Sequence, residues 1–240
     1  MNLILLLPED FRSTTTVHLT GRRLAHVRQV HRAAVGDTLR VGVLDGAIGS
    51  GTVTRLGPAI LEMSVKLTEP PPAPLPVTLL LALPRPKVLK RVLQGVTALG
   101  IKRLVLLNSY RVEKSYWQSP VLKDESLSEQ VILGLEQARD TVLPEILQRR
   151  RFKPFVEDEL TEMAAGTLSL VAHPGAASES PPQADKPVTL AVGPEGGFIP
   201  YEVEKLIECG FRPISLGERI LRVETAVPAL LGRLFQGAGG

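Results

Sequence analysis

The stretch VTLAVGPEGGF, Val188 to Phe198, runs a short β-branched apolar segment directly into a glycine loop. Gly193, Gly196 and Gly197 free the backbone for positive φ and for close approach to a ligand, while Pro194 fixes its own φ and removes a donor. A second loop, SLGERILRVETA from Ser215 to Ala226, follows another short apolar segment and carries Gly217, Ile220, Leu221, Arg222 and Glu224. Two such loops leaving successive strands suit a small molecule held against bare backbone and apolar side chains. No Gly-Lys-Ser/Thr follows and no G-x-G-x-x-G spacing occurs, so neither a P-loop nor a dinucleotide site is favoured. An ordinary tight strand-to-helix connection is the competing reading of the first loop taken alone.

These loops need strands to present them. Val188 to Val192 and Phe211 to Leu216 read as buried strands, and Pro200 with Glu202 and Glu204 opens a helix whose apolar positions Val203, Leu206 and Ile207 share a face. Val77 to Leu83, Ile101 to Leu107 and Leu168 to Ala172 are continuous apolar runs of the kind found in parallel strands covered on both sides. Helices are expected between them: one with Val88, Leu89, Val92, Leu93, Val96 and Leu99 as its stripe, one capped by Ser126 and Glu129 and running through Arg139, and an acidic one ending at Gly166. Strands alternating with helices predict an α/β domain with a largely parallel sheet, whose ligands bind beyond the strands' carboxyl ends. His173, Gly193 to Gly197 and Leu216 to Arg222 all lie at such ends. The polar segment from Ala176 to Pro187 reads as a surface excursion. The last helix spans about Glu224 to Phe235, with Pro228 expected in its first turn.

The first seventy residues have a different period. Met1 to Leu7 is an opening strand; Thr20 is a plausible N-cap for a helix from Arg22 to about His31. Leu39, Val41 and Val43 alternate with polar or small residues up to an Asp45-Gly46 turn, and Leu61, Met63, Val65 and Leu67 alternate after Gly57-Pro58. Short strands with one helix predict a small barrel. EPPPAPLP, Glu69 to Pro76, then reads as a stiff linker. The expected organisation is therefore residues 1–70, a linker over 71–76, and residues 77–240.

Charge is unevenly spread. The chain carries a formal +3, yet nine Lys/Arg face the single acid Glu113 between Arg85 and Lys123, and ten acids face five bases from Asp124 to Glu162. Arg22, Arg23, Arg28 and Arg32 lie on the N-terminal helix or just beyond it and, with Arg12, give a basic face with no acid in the helix to offset it. Such a distribution fits a polyanion, or a solvated face. Aromatics beside bases at Tyr110-Arg111 and Lys114 to Trp117 fit stacking on RNA or cover for a core. His18, His26 and His31 lack the spacing and carboxylate neighbours of a metal site, and no metal is expected. One cysteine, Cys209, excludes an intrachain disulfide. MNLILLLPED has no basic leader region and its apolar run stops at Pro8, so neither a signal peptide nor a membrane span is expected, and the cytoplasm is the default location.

The paired motifs GPEGGF and LGERILRVETA resemble the bacterial small-subunit ribosomal RNA (uracil-N3)-methyltransferases, knotted SPOUT enzymes that use S-adenosylmethionine. The likeness extends over nearly the whole chain, including His26, Arg32 and Val35-Gly36-Asp37, Glu136 to Arg139, Leu143 to Ile146 and His173-Pro174. Val223 stands where this family is expected to have threonine. The resemblance implies a C-terminal SPOUT domain with a trefoil knot, a PUA-like RNA-binding β-barrel before it, and a homodimer. It implies methylation of N3 of a specific 16S rRNA uridine, U1498. By resemblance the cofactor residues are Ala172, His173, Gly193, Glu195, Gly196, Gly197, Leu216, Gly217, Ile220, Leu221 and Arg222. RNA contacts are expected from Arg12, Arg22, Arg23, Arg28, Arg32 and Arg111. Loss of the N3 proton leaves an anion spread over the flanking carbonyl oxygens, so Arg222 is expected to stabilise it, with Glu224 or Glu195 orienting the arginine or taking the proton through water. Glu224 equally fits a favourable charge at a helix N-terminus. Two other readings remain open: a SPOUT enzyme acting on a ribose 2′-hydroxyl or another base, and a noncatalytic RNA-binding or assembly protein.

Overall fold

A computed structural model of the chain describes residues 2–176, 178 and 183–235. The chain divides into two compact units, Met1–Ala73 with Ile132–Leu143, and Pro74–Val131 with Pro144–Gly240. The first cut falls inside the proline-rich stretch. The return of residues 132–143 to the first unit has no compositional mark and is not visible in the sequence.

The first unit holds strands β1 (Ile4–Leu6), β2 (Thr16–Leu19), β3 (Thr38–Val43), β4 (Ile48–Leu56) and β5 (Leu61–Glu69) in the order β1-β3-β4-β5-β2. β1 pairs parallel to β3 and the other neighbours are antiparallel. β1 and β2 are the two edges of the ladder, which forms a half-barrel. The Asp45-Gly46 hairpin turn is present, with Asp45 at φ 55° and the Gly46 N–H donating to Val43 O at 2.8 Å. Alternation places Leu39, Val41, Val53, Leu61, Met63 and Val65 in the unit's core, joined by Leu24 and Val27 of the helix α1 (Gly21–His26), which continues as a wider turn through His31.

The arginines of that helix are not all unopposed, because their acids come from elsewhere in the chain. The Arg22 guanidinium forks onto the buried Glu136 carboxylate at 2.9 and 3.1 Å, and Arg23 forks onto the buried Asp10 while also donating to Leu5 O at 2.8 Å. A helix-face pattern sees neighbours three and four residues apart and is blind to partners 13 and 114 residues away. Arg28 donates to Pro58 O and Arg12 to His18 Nδ1, both at 3.3 Å, and neither pairs with a carboxylate among the described residues. Arg32 adopts a left-handed conformation (φ 52°) after the helix.

The second unit is a six-stranded parallel sheet with helices. Its strands are β6 (Leu75–Ala82), β7 (Ile101–Leu107), β8 (Glu145–Arg149), β9 (Leu168–Ala172), β10 (Val188–Val192) and β11 (Arg212–Ile214), ordered β11-β9-β10-β6-β7-β8. Every pairing is parallel, so all six carboxyl ends lie along one edge. Helix α2 (Pro86–Ala98) buries Leu89, Val92, Leu93 and Val96; α3 (Asp124–Ala138) begins two residues before the expected Ser126 cap, with Asp124 and Glu125 in its first turn. Short helices α4 (Phe152–Phe155) and α5 (Thr161–Met163) flank a wider turn, followed by α6 (Pro200–Glu208) and α7 (Val223–Leu234). Pro228 is the sixth residue of α7, beyond the first turn, where it removes the N–H that would bond Glu224 O. Trp117 is buried and donates to Asn108 Oδ1 at 2.8 Å, so it covers the core. The expected excursion over 176–187 falls partly outside the described residues, as does Met1 of the opening strand.

Candidate cofactor pocket

Because β11, β9 and β10 are adjacent and parallel, the chain leaves the sheet at Ser215, His173 and Gly193 side by side. The His173 N–H donates to Ile214 O at 2.9 Å, joining the first two exits. The third exit folds back on itself: the Gly197 N–H donates to Pro194 O at 2.7 Å, with Gly197 at φ 72°. A Cβ on Gly193 would stand 2.8 Å from the Phe198 nitrogen and 3.1 Å from Gly197, so this turn closes only on glycine. Phe198 anchors the loop's far end in the core beside Phe152, their rings 6.3 Å apart.

These exits enclose a cavity of about 320 Å³. Ala172, His173, Gly193, Glu195, Gly196, Gly197, Leu216, Gly217, Ile220 and Leu221 all line it. Arg222 does not. It is exposed between two lining residues, Leu221 and Val223, and its carbonyl caps α7 by accepting the N–H groups of Thr225 at 2.9 Å and Ala226 at 2.7 Å. Glu224 is half-buried in the first turn of α7 and off the lining. Sequence reasoning missed Val192, Phe198, Ile214, Val223, Ala226 and Leu230 as walls, although their apolar character and position beside the glycine loops were legible. Val223 is buried, so the wall there is apolar.

Arg111, expected on RNA, lines the cavity and donates to Gly196 O. Its neighbour Tyr110 is held through its backbone: Glu202, 3% exposed, accepts the Tyr110 N–H at 2.7 Å and the Ile199 N–H at 3.0 Å. Glu195 accepts the Arg85 N–H at 3.2 Å. The glycine loop is thus braced from the exits of β6 and β7 as well as its own strand. Nearby, burial and the Glu113 carboxylate raise the Tyr116 phenol above its ordinary range, and a hydrogen bond to Tyr116 raises the Arg85 guanidinium.

The cavity's chemistry is apolar walls and bare backbone, with Arg111, Glu195 and Arg219 as its charged lining residues. Among the described residues His173 Nδ1, buried there, has no hydrogen-bond partner. Among the described residues no cluster of His, Cys, Asp and Glu suits a metal ion.

Residues 71–235 match the family model described as the RNA methyltransferase domain. A Synechocystis ribosomal RNA small subunit methyltransferase E is 30% identical over 227 residues, spanning 91% of this chain and 72% of the relative. The chain belongs to the ribosomal RNA small subunit methyltransferase E family. The Treponema pallidum member is 27% identical over 239 residues, spanning 95% of this chain and 88% of its own. Among solved structures, a Legionella pneumophila protein in complex with SAM matches with a TM-score of 0.75 at 25% identity, covering 98% of this chain and 97% of that one. The Neisseria gonorrhoeae small subunit methyltransferase E, solved with S-adenosyl methionine, shares the fold with a TM-score of 0.78 at 23% identity and the same coverage. The match to the methyltransferase family model begins at residue 71, close to the cut after Ala73.

Proposed function

We propose that this chain transfers a methyl group from S-adenosylmethionine to N3 of uridine 1498 in 16S rRNA. The observation that carries the proposal is the cavity at the exits of β9, β10 and β11, in a chain of this family. The residues fit the cofactor: glycine backbone admits a close ligand, apolar walls suit adenine, and the unpartnered His173 Nδ1 offers a hydrogen-bonding position inside. When bound, S-adenosylmethionine supplies an electrophilic methyl group on a sulfonium. Arg222 meets the negative charge that spreads over the uracil carbonyl oxygens as N3 loses its proton. Its side chain is exposed at the cavity's edge, where an incoming base would arrive. Glu224, two residues beyond Arg222, or Glu195 on the glycine loop receives the proton through water.

The finer architecture belongs to the same proposal. The N-terminal unit is a PUA-like RNA-binding module, with Arg12, Arg28 and Arg32 as phosphate contacts. The C-terminal segment is threaded as a trefoil knot. Backbone bonds from Ser215 to Ser178 O at 3.0 Å and from Ala184 to Leu234 O at 2.8 Å support the knot, since they tie the β9–β10 connection to the chain that follows β11. The protein acts as a homodimer in the cytoplasm; among the described residues no helix is long and apolar enough to cross a membrane. The stripe of α7 packs into the unit's own core, so support for a dimer comes from Ile220, 79% exposed, and Leu221 on the cavity lip.

The test is methyl transfer from labelled S-adenosylmethionine to small ribosomal subunits lacking this modification, with the product nucleotide mapped by mass spectrometry. 3-Methyluridine at 1498 is expected. A ribose methyl or a methylated different base would replace this reading with another acceptor, and absence of cofactor binding in calorimetry would favour a noncatalytic RNA-binding protein.

A further inference from the structure

One edge of the six-stranded sheet carries every strand's carboxyl end, and the cavity lies at the β11-β9-β10 exits with Arg111, from beyond β7, on its lip. On the β7-β8 side the strand exits carry exposed aromatic and basic residues. Arg111 bonds Gly196 O on the lip, the preceding Tyr110 is 79% exposed, and Asn108 receives the Trp117 indole at 2.8 Å while its own N–H donates to Arg149 O at 2.9 Å. The Arg150 guanidinium lies 5.5 Å over the Trp117 ring, and Arg151 and Lys114 are exposed nearby in the chain.

Two features separate this band from a merely solvated face. Arg149 is neutralised by Glu159 at 2.7 Å, as Arg22 and Arg23 are by their acids, yet Lys114, Arg150 and Arg151 form no ion pair among the described residues. Glu113, the acid within the band, turns to the Tyr116 hydroxyl at 2.9 Å. An aromatic so exposed gains nothing from burial, while its backbone is fixed by a buried carboxylate, which preorganises it at little further entropic cost.

We infer that this band is a track for single-stranded RNA that leads the target nucleotide to the cavity, with Tyr110 as a stacking surface for a base and Lys114, Arg150 and Arg151 as phosphate contacts. Single-stranded RNA binding combines these two elements, a cationic groove for the backbone and an aromatic face on which any base can stack. A guanidinium held over an indole face keeps N–H groups free for phosphate oxygens. The inference rests on the RNA methyltransferase reading and adds to it a substrate surface within the catalytic unit itself.

The full chain is tested by fluorescence anisotropy with a short unstructured RNA oligonucleotide containing one uridine, across a salt series. The triple variant K114Q/R150Q/R151Q should flatten the slope of log Kd against log salt by about two, at roughly 0.7 for each phosphate that a side chain ceases to neutralise. Tyr110→Ala should weaken binding about tenfold and Tyr110→Phe should restore it, since the ring and not the hydroxyl stacks. S-adenosylmethionine affinity, by calorimetry, should be unchanged in all three. If the wild-type chain methylates small subunits while the triple variant keeps the parental salt slope and Tyr110→Ala the parental affinity, the track is refuted and the function stands. A wild-type chain that neither binds nor methylates RNA overturns both.

Discussion

The Glu202 carboxylate divides its two oxygens between two loops, one accepting the Tyr110 N–H at 2.7 Å and the other the Ile199 N–H at 3.0 Å. One buried side chain thereby fixes both the start of α6, which ends the glycine loop, and the exit of β7. Glutamine at this position has one oxygen for two donors, so Glu202→Gln should leave a buried N–H unsatisfied and cost about 1–3 kcal/mol. Chemical denaturation reads that loss, and S-adenosylmethionine affinity should fall in the folded variant. Unchanged stability would show that water takes over the bond.

The three loop glycines should differ in what they tolerate. Gly193→Ala drives a Cβ into backbone atoms at 2.8 and 3.1 Å, and Gly197→Ala places a side chain at φ 72°. Gly196→Ala meets the Arg111 Cδ at 2.8 Å, on a side chain able to swing away. Calorimetry should therefore show the largest loss of cofactor affinity for Gly193→Ala, on the scale of about 1–3 kcal/mol for overpacking, and the smallest for Gly196→Ala.

Arg23, paired with the buried Asp10, is expected to serve the fold more than RNA. Arg23→Ala leaves the Asp10 carboxylate buried with the Leu7 N–H at 2.7 Å as its remaining partner and should destabilise the N-terminal unit by about 3 kcal/mol. Arg12→Ala and Arg28→Ala, whose side chains meet no carboxylate among the described residues, should leave the melting temperature nearly unchanged while lowering RNA affinity. A stable Arg23→Ala protein would contradict the assignment.

Arg222 separates chemistry from capping. Its contribution to the start of α7 is a backbone carbonyl, which alanine retains, so Arg222→Ala should fold normally. Single-turnover methylation at saturating RNA and cofactor should fall roughly a hundredfold or more, the scale for loss of an anion-stabilising donor. A rate near wild type would remove Arg222 from the catalytic machinery.

Light scattering at micromolar concentration should give twice the 26.0 kDa chain mass. Ile220→Asp should shift the population toward monomer, because that side chain is 79% exposed in the single chain. A wild-type monomer would dispose of the dimer proposal.

Local pattern is enough to predict the parallel strands, because continuous apolar runs such as Val77 to Leu83 and Val188 to Val192 leave no polar face to expose. It also marks Gly193, Gly196 and Gly197, since a glycine cluster at a strand end has a local steric meaning. Helix limits differ by one to three residues, the acidic helix expected to Gly166 is split and ends at Met163, and Pro228 lies inside α7 instead of in its first turn. Relations between distant residues are beyond any local pattern: Glu136 reaching Arg22, Asp10 reaching Arg23, and Glu202 reaching Tyr110 across 92 positions. The basic face of α1 reads as unopposed in the sequence because its acids arrive from elsewhere in the chain. Strand order, too, is absent from the pattern, and it alone brings the exits of β9, β10 and β11 around one cavity while leaving the side chain of Arg222, between two wall residues, off the wall. Periodicity reports which face of an element is buried; which element buries it is a tertiary choice, set by packing and pairing over the whole chain.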